Sequence, residues 1–338
     1  MKKPVLTGVF LVFLLAMGCE KDERTKATEE NWFSQYPAHL PPPFIPADNE
    51  PNAARIELGK ALFYDPVLSI DSSISCASCH LANHAFASLM ATNPGVYGRP
   101  GTRNAPGLFN LAWQPHYLRE ASLPTLEMQI LVPIQEHNEF AHNIVDIGEQ
   151  LSQSPYYDSL SRLAYGQAPG PYIITRSIAA FERTLISANS RYDKVINGIS
   201  KYTTQEAEGY AIFISTKTNC IQCHSEPFFT NFEPENNGLY FSYKDPGRAR
   251  FTKQASDSGK FKIPSLRNVA LTPPYMHDGS LASLEKVIDH YASGGQNSPN
   301  QSPLIKGFTL KPEEKAALIA FLQTLSDPGF VNNPHFRP

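Results

Sequence analysis

The stretch Cys76-Ala77-Ser78-Cys79-His80 decides how this chain is read, and the same spacing returns as Cys220-Ile221-Gln222-Cys223-His224. Both spell C-x-x-C-H. At that spacing two thiols can add to the vinyl groups of one porphyrin while the following histidine falls beneath the iron. The chain has five cysteines, so the two motifs use all but Cys19. A four-cysteine zinc site would require two distant pairs to converge and would leave His80 and His224 without a role. No βαβ pattern surrounds either pair, which argues against thioredoxin-like exchange. The motifs therefore imply two covalently bound haem c groups, one on Cys76, Cys79 and His80 and one on Cys220, Cys223 and His224, with the two histidines as iron ligands.

Toward the N-terminus, Lys2 and Lys3 precede an apolar run from Val5 to Ala16. That run is shorter than the ~20 residues of a bilayer crossing and reads as the core of a signal peptide. It ends in Leu15-Ala16-Met17-Gly18-Cys19, the pattern of a bacterial lipoprotein in which Cys19 carries the lipid. Residues 1–19 are thus expected to be a targeting segment and residues 20–50 a tether, charged from Glu20 to Arg24 and stiffened by Pro41, Pro42, Pro43 and Pro46. The expected location is outside the cytoplasm, periplasmic or at the cell surface, with membrane contact through the lipid anchor only. The formal net charge is −3 and no basic run occurs, which excludes nucleic acid as a partner.

Between and beyond the motifs the apolar residues recur at helical spacing. Ala53, Ile56, Leu58, Leu62 and Phe63 precede the first motif, and Ile174, Ile178, Phe181 and Leu185 share a later face. Thr203 and Glu206 form a capping-box pattern that opens a helix through Tyr210, Ile212 and Phe213 toward the second motif. Pro312 opens a last helix carrying Leu318, Ile319, Phe321, Leu322 and Leu325. The 29 prolines suggest short helices joined by long ordered loops. The expectation is a mainly α protein of two cytochrome c-like haem domains, residues 51–195 and 196–330, with the haems near their interface and no strand ladder beyond short hairpins.

Other segments lie in a fixed order around the haem motifs: Gly101-Thr102-Arg103-Asn104-Ala105-Pro106, Leu126-Glu127-Met128-Gln129-Ile130-Leu131-Val132-Pro133, Pro264-Ser265-Leu266-Arg267-Asn268-Val269, and Leu271 through Tyr275-Met276-His277-Asp278-Gly279. In these the chain resembles the bacterial di-haem cytochrome c peroxidases and their relative MauG, the di-haem enzyme of methylamine utilisation, over roughly Asn52 to Asp327. The resemblance implies that the first haem meets peroxide, with Gln129 and Glu139 beside it and Pro133 shaping the same pocket. A carboxylate there can take the proton that peroxide loses on binding and return it to the departing oxygen. An amide can orient the peroxide or a water. The resemblance also implies one calcium ion between the haems, held by Asn104, Thr272 and Pro274, oxygen donors that suit a hard cation.

Three positions depart from the family pattern. Typical members carry a histidine before the Asn-Ala-Pro segment that caps the first iron at rest. Here Gly95-Val96-Tyr97-Gly98-Arg99 has none, so an open first haem is expected, with Tyr97 an exposed loop residue rather than a replacement cap. His84 is expected to serve packing or a haem propionate. Fourteen residues after His277, where typical members have methionine, stands Tyr291, as in MauG. A phenolate would stabilise ferric iron in the second haem, while Met276 is the softer alternative ligand. Arg119 stands where the family has a tryptophan between the haems. It cannot be oxidised and is expected to bind a propionate, leaving Trp113 as a relay only if its loop brings it between the haems.

The implied activity is reduction of hydrogen peroxide to water with electrons from a small cytochrome c or similar exported donor. The alternatives are a MauG-like oxidase acting on a partner protein and a non-catalytic di-haem electron carrier. The sequence leaves a homodimer open.

Overall fold

A computed structural model describes residues 36–338 together with Met1. The signal segment, Cys19 and the charged tether lie outside the described residues. In chain order the helices are α1 (Ala53–Tyr64), α2 (Cys76–Cys79), α3 (Leu126–Gln135), α4 (Ile144–Ser152), α5 (Pro155–Tyr165), α6 (Pro171–Arg183), α7 (Arg191–Ile196), α8 (Thr204–Ile214), α9 (Cys220–Cys223), α10 (Ala249–Thr252), α11 (Leu284–Ser293), α12 (Pro312–Gln323) and α13 (Pro328–Val331). Among the described residues the one sheet is a two-residue antiparallel pair, β1 (Pro234–Glu235) with β2 (Phe261–Lys262). The protein is mainly helical, with two cytochrome c-type domains.

Each domain is organised by the same crossing. In the first, α1 starts where the Asn52 side chain accepts the Arg55 amide at 2.9 Å and buries Ile56, Leu58, Leu62 and Phe63 against α6. From α6, Ile174, Ile178 and Phe181 face it, all fully buried. Gly59 lies so close to α6 that a Cβ there would fall 1.8 Å from the Ser177 carbonyl oxygen. In the second domain α8 opens with the expected capping box: the Thr203 hydroxyl accepts the Glu206 amide at 3.2 Å, and Glu206 accepts the Thr203 amide at 2.7 Å. Its Ile212 and Phe213 pack with Leu318, Phe321 and Leu322 of α12. Burying each such side chain contributes about 1.5–3 kcal/mol.

Buried polar groups lock the domains together. Arg267, fully buried, makes a two-pronged ion pair with Asp193 at 2.9 Å on both prongs, beside α7 at the junction. The neighbouring Asn268 donates to Ser187 at 2.9 Å and accepts the Asp327 amide at 2.8 Å. The Pro264–Val269 segment thus earns its place structurally: breaking a buried pair of this kind costs about 3–5 kcal/mol. Beyond α12 the chain returns to the first domain, where Phe330 and Phe336 join the core against Phe86 with ring centroids 5.9 and 6.3 Å away.

Candidate functional site: a shared haem cavity

Both C-x-x-C-H motifs line one cavity of about 950 Å³. Each motif forms a single helical turn, so its two cysteines face the same way, and the histidine follows where the turn ends. The two histidines are held alike. Nδ1 of His80 lies 2.7 Å from the Phe86 carbonyl oxygen and 3.1 Å from that of Pro106. Nδ1 of His224 lies 3.0 Å from the Phe229 carbonyl, with the Pro264 carbonyl as its second partner. A proton on Nδ1 donated to those carbonyls leaves the Nε2 lone pair for a metal. Burial lowers the pKa of both rings, that of His224 to about 4, so both are neutral as ligation requires. Burial also raises Cys79 and Cys223 to about 11, which keeps the unmodified thiols out of thiolate chemistry.

Two partly buried cations in the wall fit the group that the motifs imply. Lys262 is pulled down to about 7 and Arg119 to about 10, in both cases chiefly by desolvation. Neither forms an ion pair with a carboxylate among the described residues. Lys262 Nζ donates to the His116 carbonyl at 3.0 Å and to the Gln114 amide oxygen. Arg119 donates to Asn104. Partly buried cations of this kind call for anions, and haem propionates are anions of the right kind.

Gln129 on α3, Pro133 in the same helix and Glu139 in the loop beyond it all line the cavity. The carbonyl of Glu139 accepts the Val96 amide at 3.0 Å. Gly95 sits against the same segment, where a Cβ would come 2.0 Å from the Asn138 carbonyl oxygen. Burial raises the Glu139 pKa, with the charge of Glu136 adding to the effect and Arg103 opposing it. Of the Gly95–Arg99 loop only Gly95 reaches the cavity wall. Tyr97 is 63% exposed, under the Arg99 guanidinium at 4.9 Å. His84 also lies off the wall. Trp113 does not enter the cavity either: its indole donates to the Pro41 carbonyl at 2.7 Å and packs on Phe228. The condition for a Trp113 relay is therefore not met.

Tyr291 on α11 and Met276 both line the cavity. Asn237, which the sequence reading missed, reaches both: its Nδ2 is 3.3 Å from the Met276 sulfur, and its side chain hydrogen-bonds the Tyr291 hydroxyl. Burial raises the Tyr291 pKa to about 12. Asn104, Thr272, Pro274 and His277 line the wall too. The Asn104 amide donates to the His277 carbonyl at 2.8 Å, joining the two family-like segments across the domains. Glu182 was also missed. It is 4% exposed on α6, lines the cavity, leaves Oε2 without a hydrogen-bond partner, and is pushed up to about 8 by burial. A glutamate beside Phe181 on an otherwise apolar helical face was the available signal.

Comparison with known proteins agrees with this geometry. Residues 53–201 match the family model described as di-haem cytochrome c peroxidase, and residues 206–326 match the cytochrome c model. The chain is 35% identical to the methylamine utilization protein MauG of Methylorubrum extorquens, over 86% of this chain and 83% of that protein. It is 31% identical to the cytochrome-c peroxidase IdrP1 of a Pseudomonas species, over 86% and 85%. A crystal structure of a MauG-like protein associated with microbial copper homeostasis superposes with a TM-score of 0.84 at 32% identity, covering 89% of this chain and 97% of that one. With two haem c attachment motifs on one cavity, matched family models and relatives spanning most of its length, the chain belongs to the di-haem cytochrome c peroxidase and MauG family.

Proposed function

We propose that this protein reduces hydrogen peroxide to water with electrons from a small exported cytochrome c or similar donor. The observation that carries the reading is the juxtaposition of Glu139 and Gln129 on the cavity of the His80 motif, with no side chain of the Gly95–Arg99 loop reaching in. The haem held by Cys76, Cys79 and His80 supplies, when bound, the metal centre at which the O–O bond is cleaved. Peroxide takes up two electrons and two protons and leaves as two waters. Glu139 accepts the proton from one peroxide oxygen and returns it to the other, which leaves as the first water, and the two protons taken up with the two electrons to make the second water come from solvent. Its upward-shifted pKa keeps the carboxyl closer to the working pH, as a group that must both accept and donate requires. The Gln129 amide orients the peroxide. His224 and Tyr291, with Met276 as the alternative ligand, hold the site that relays the electrons. Cys19 is the lipid anchor in this reading.

A second reading, a MauG-like oxidase that modifies a partner protein, is favoured by Tyr291 in the position where typical peroxidases carry methionine. Arg119 weighs against a copied mechanism, because an arginine cannot relay an oxidising equivalent. The test mixes the ferric protein with peroxide and a reduced small cytochrome c. Fast oxidation of two donor molecules per peroxide is expected. A spectral reaction with peroxide but no donor oxidation would favour the oxidase, and no reaction with peroxide at all would leave an electron carrier.

A further inference from the structure

Of the three residues that the family resemblance assigns to calcium, Asn104 already has its oxygens engaged. Arg119 Nε and Nη2 donate to the Asn104 carbonyl oxygen at 3.1 and 2.7 Å, and Nη2 also donates to the Asn104 side-chain oxygen at 3.0 Å. The Asn104 Nδ2 donates to the Met90 carbonyl at 3.1 Å, so the amide is oriented with its oxygen toward the guanidinium. A calcium ion would need that side-chain oxygen at 2.3–2.6 Å, with five or more further oxygens around it. The fork of Arg119 already holds that side-chain oxygen and the carbonyl oxygen of the same residue.

The Arg119 carbonyl accepts the Lys262 amide at 2.6 Å, which brings Lys262 into the same wall. Two cations thus stand there without a carboxylate pair. Among the described residues no group of three or more Asp, Glu, His or Cys side chains is placed to hold a metal ion. Asn104 moreover already ties the domains together through its amide bond to the His277 carbonyl, and Arg119 fixes Asn104 in place.

We propose that the Arg119 guanidinium takes the place of the calcium ion expected at Asn104, Thr272 and Pro274, so that the two haem domains are joined by a built-in cation and the site holds no metal. The chain does not fit the ion. This goes beyond the peroxidase reading and does not depend on it, since the donor, the substrate and turnover play no part in the argument.

The test is metal analysis of the haem-loaded full chain after desalting from calcium-containing buffer. It is paired with the melting temperature and ferric EPR spectrum in EGTA and in millimolar calcium. Calcium well below one ion per chain is expected, with neither reagent moving the melt or the spectrum. One retained calcium per chain, or an EGTA-induced change reversed by calcium, overturns the proposal. The variant Arg119→Ala frees the Asn104 oxygens and is expected to gain a calcium-dependent rise in melting temperature. A folded variant with no calcium response would show that the guanidinium displaces nothing. If the variant does not fold, the wild-type metal content decides alone.

Discussion

In the first domain the helix before the haem motif crosses the closing helix at Gly59, where a Cβ would lie 1.8 Å from the Ser177 carbonyl oxygen and 3.0 Å from the Phe181 Cβ. In the second the same crossing falls at Gly209, 1.9 Å from the Ala317 carbonyl oxygen and 2.9 Å from the Phe321 Cβ. The histidines repeat the match, each Nδ1 bonded to one carbonyl shortly after its motif and to one proline carbonyl further on. Superposing Phe181 on Phe321 sets Glu182 against Leu322, and both line the cavity. The first domain adds Glu139 and Gln129 to its wall, where the second adds Tyr291, Met276 and Ile288. One frame is used twice to hold a porphyrin. The side chains that the two copies present to the cavity differ, so a difference in chemistry between them would come from the lining and not from the fold.

The largest effect should come from exchanging a lining group in each half. Glu139→Gln keeps the shape and removes the proton carrier, so peroxide turnover should fall by roughly 10²–10⁴-fold with both haems still attached. Tyr291→Phe should leave attachment intact and change the spectrum of the second haem, through loss of a phenolate ligand. Stopped-flow assays and absorption or EPR spectra separate the two. Near-wild-type turnover in Glu139→Gln removes that residue from the mechanism, and an unchanged spectrum in Tyr291→Phe transfers ligation to Met276.

The frame itself can be tested with one methyl group per domain. Gly59→Ala and Gly209→Ala each drive a Cβ into a carbonyl oxygen of a packed helix, and backbone yields less readily than a side-chain tip. Overpacking of this sort costs about 1–3 kcal/mol, sometimes more, which lowers the melting temperature by roughly 2–4 °C for each kcal/mol in a chain of 150–250 residues. Similar losses from the two variants are expected. A tolerated alanine in one domain and a severe loss in the other would mean that the two crossings are not equivalent in energy.

Much of this frame was readable in the sequence because it repeats local signals. The Thr203–Glu206 box and the Pro312 start are short-range chemistry, and the observed helices begin at those points. The two motifs named the cofactor outright. What the sequence did not reveal depends on distant pairings. The bond from Asn237 to both Met276 and Tyr291 spans 39 and 54 positions, and nothing local marks Asn237 as their neighbour. Arg119 stood out as a missing tryptophan and a propionate partner, while its grip on Asn104 becomes visible only when the two loops are brought together. The return of Phe330 and Phe336 to the first core was hidden for the same reason.

Glu182 gives the finest test of the asymmetry, because its counterpart Leu322 has nothing to titrate. Its folded-state pKa of about 8 stands above the ordinary carboxyl value of about 4.3. Between those two values the folded chain holds a proton that the unfolded chain has released. By linkage, stability then falls as pH rises through that window, and the loss is complete above about 8, where the buried group is charged. Glu182→Gln removes the ionisation and keeps the shape. Melting temperatures of the haem-loaded protein, followed at the Soret band between about pH 5 and 8, should therefore decline less steeply in the variant than in the wild type. Parallel slopes would mean that Glu182 is already ionised in the holoprotein, paired with one of the cavity's cations, and that the first pocket is less distinct from the second than the lining suggests.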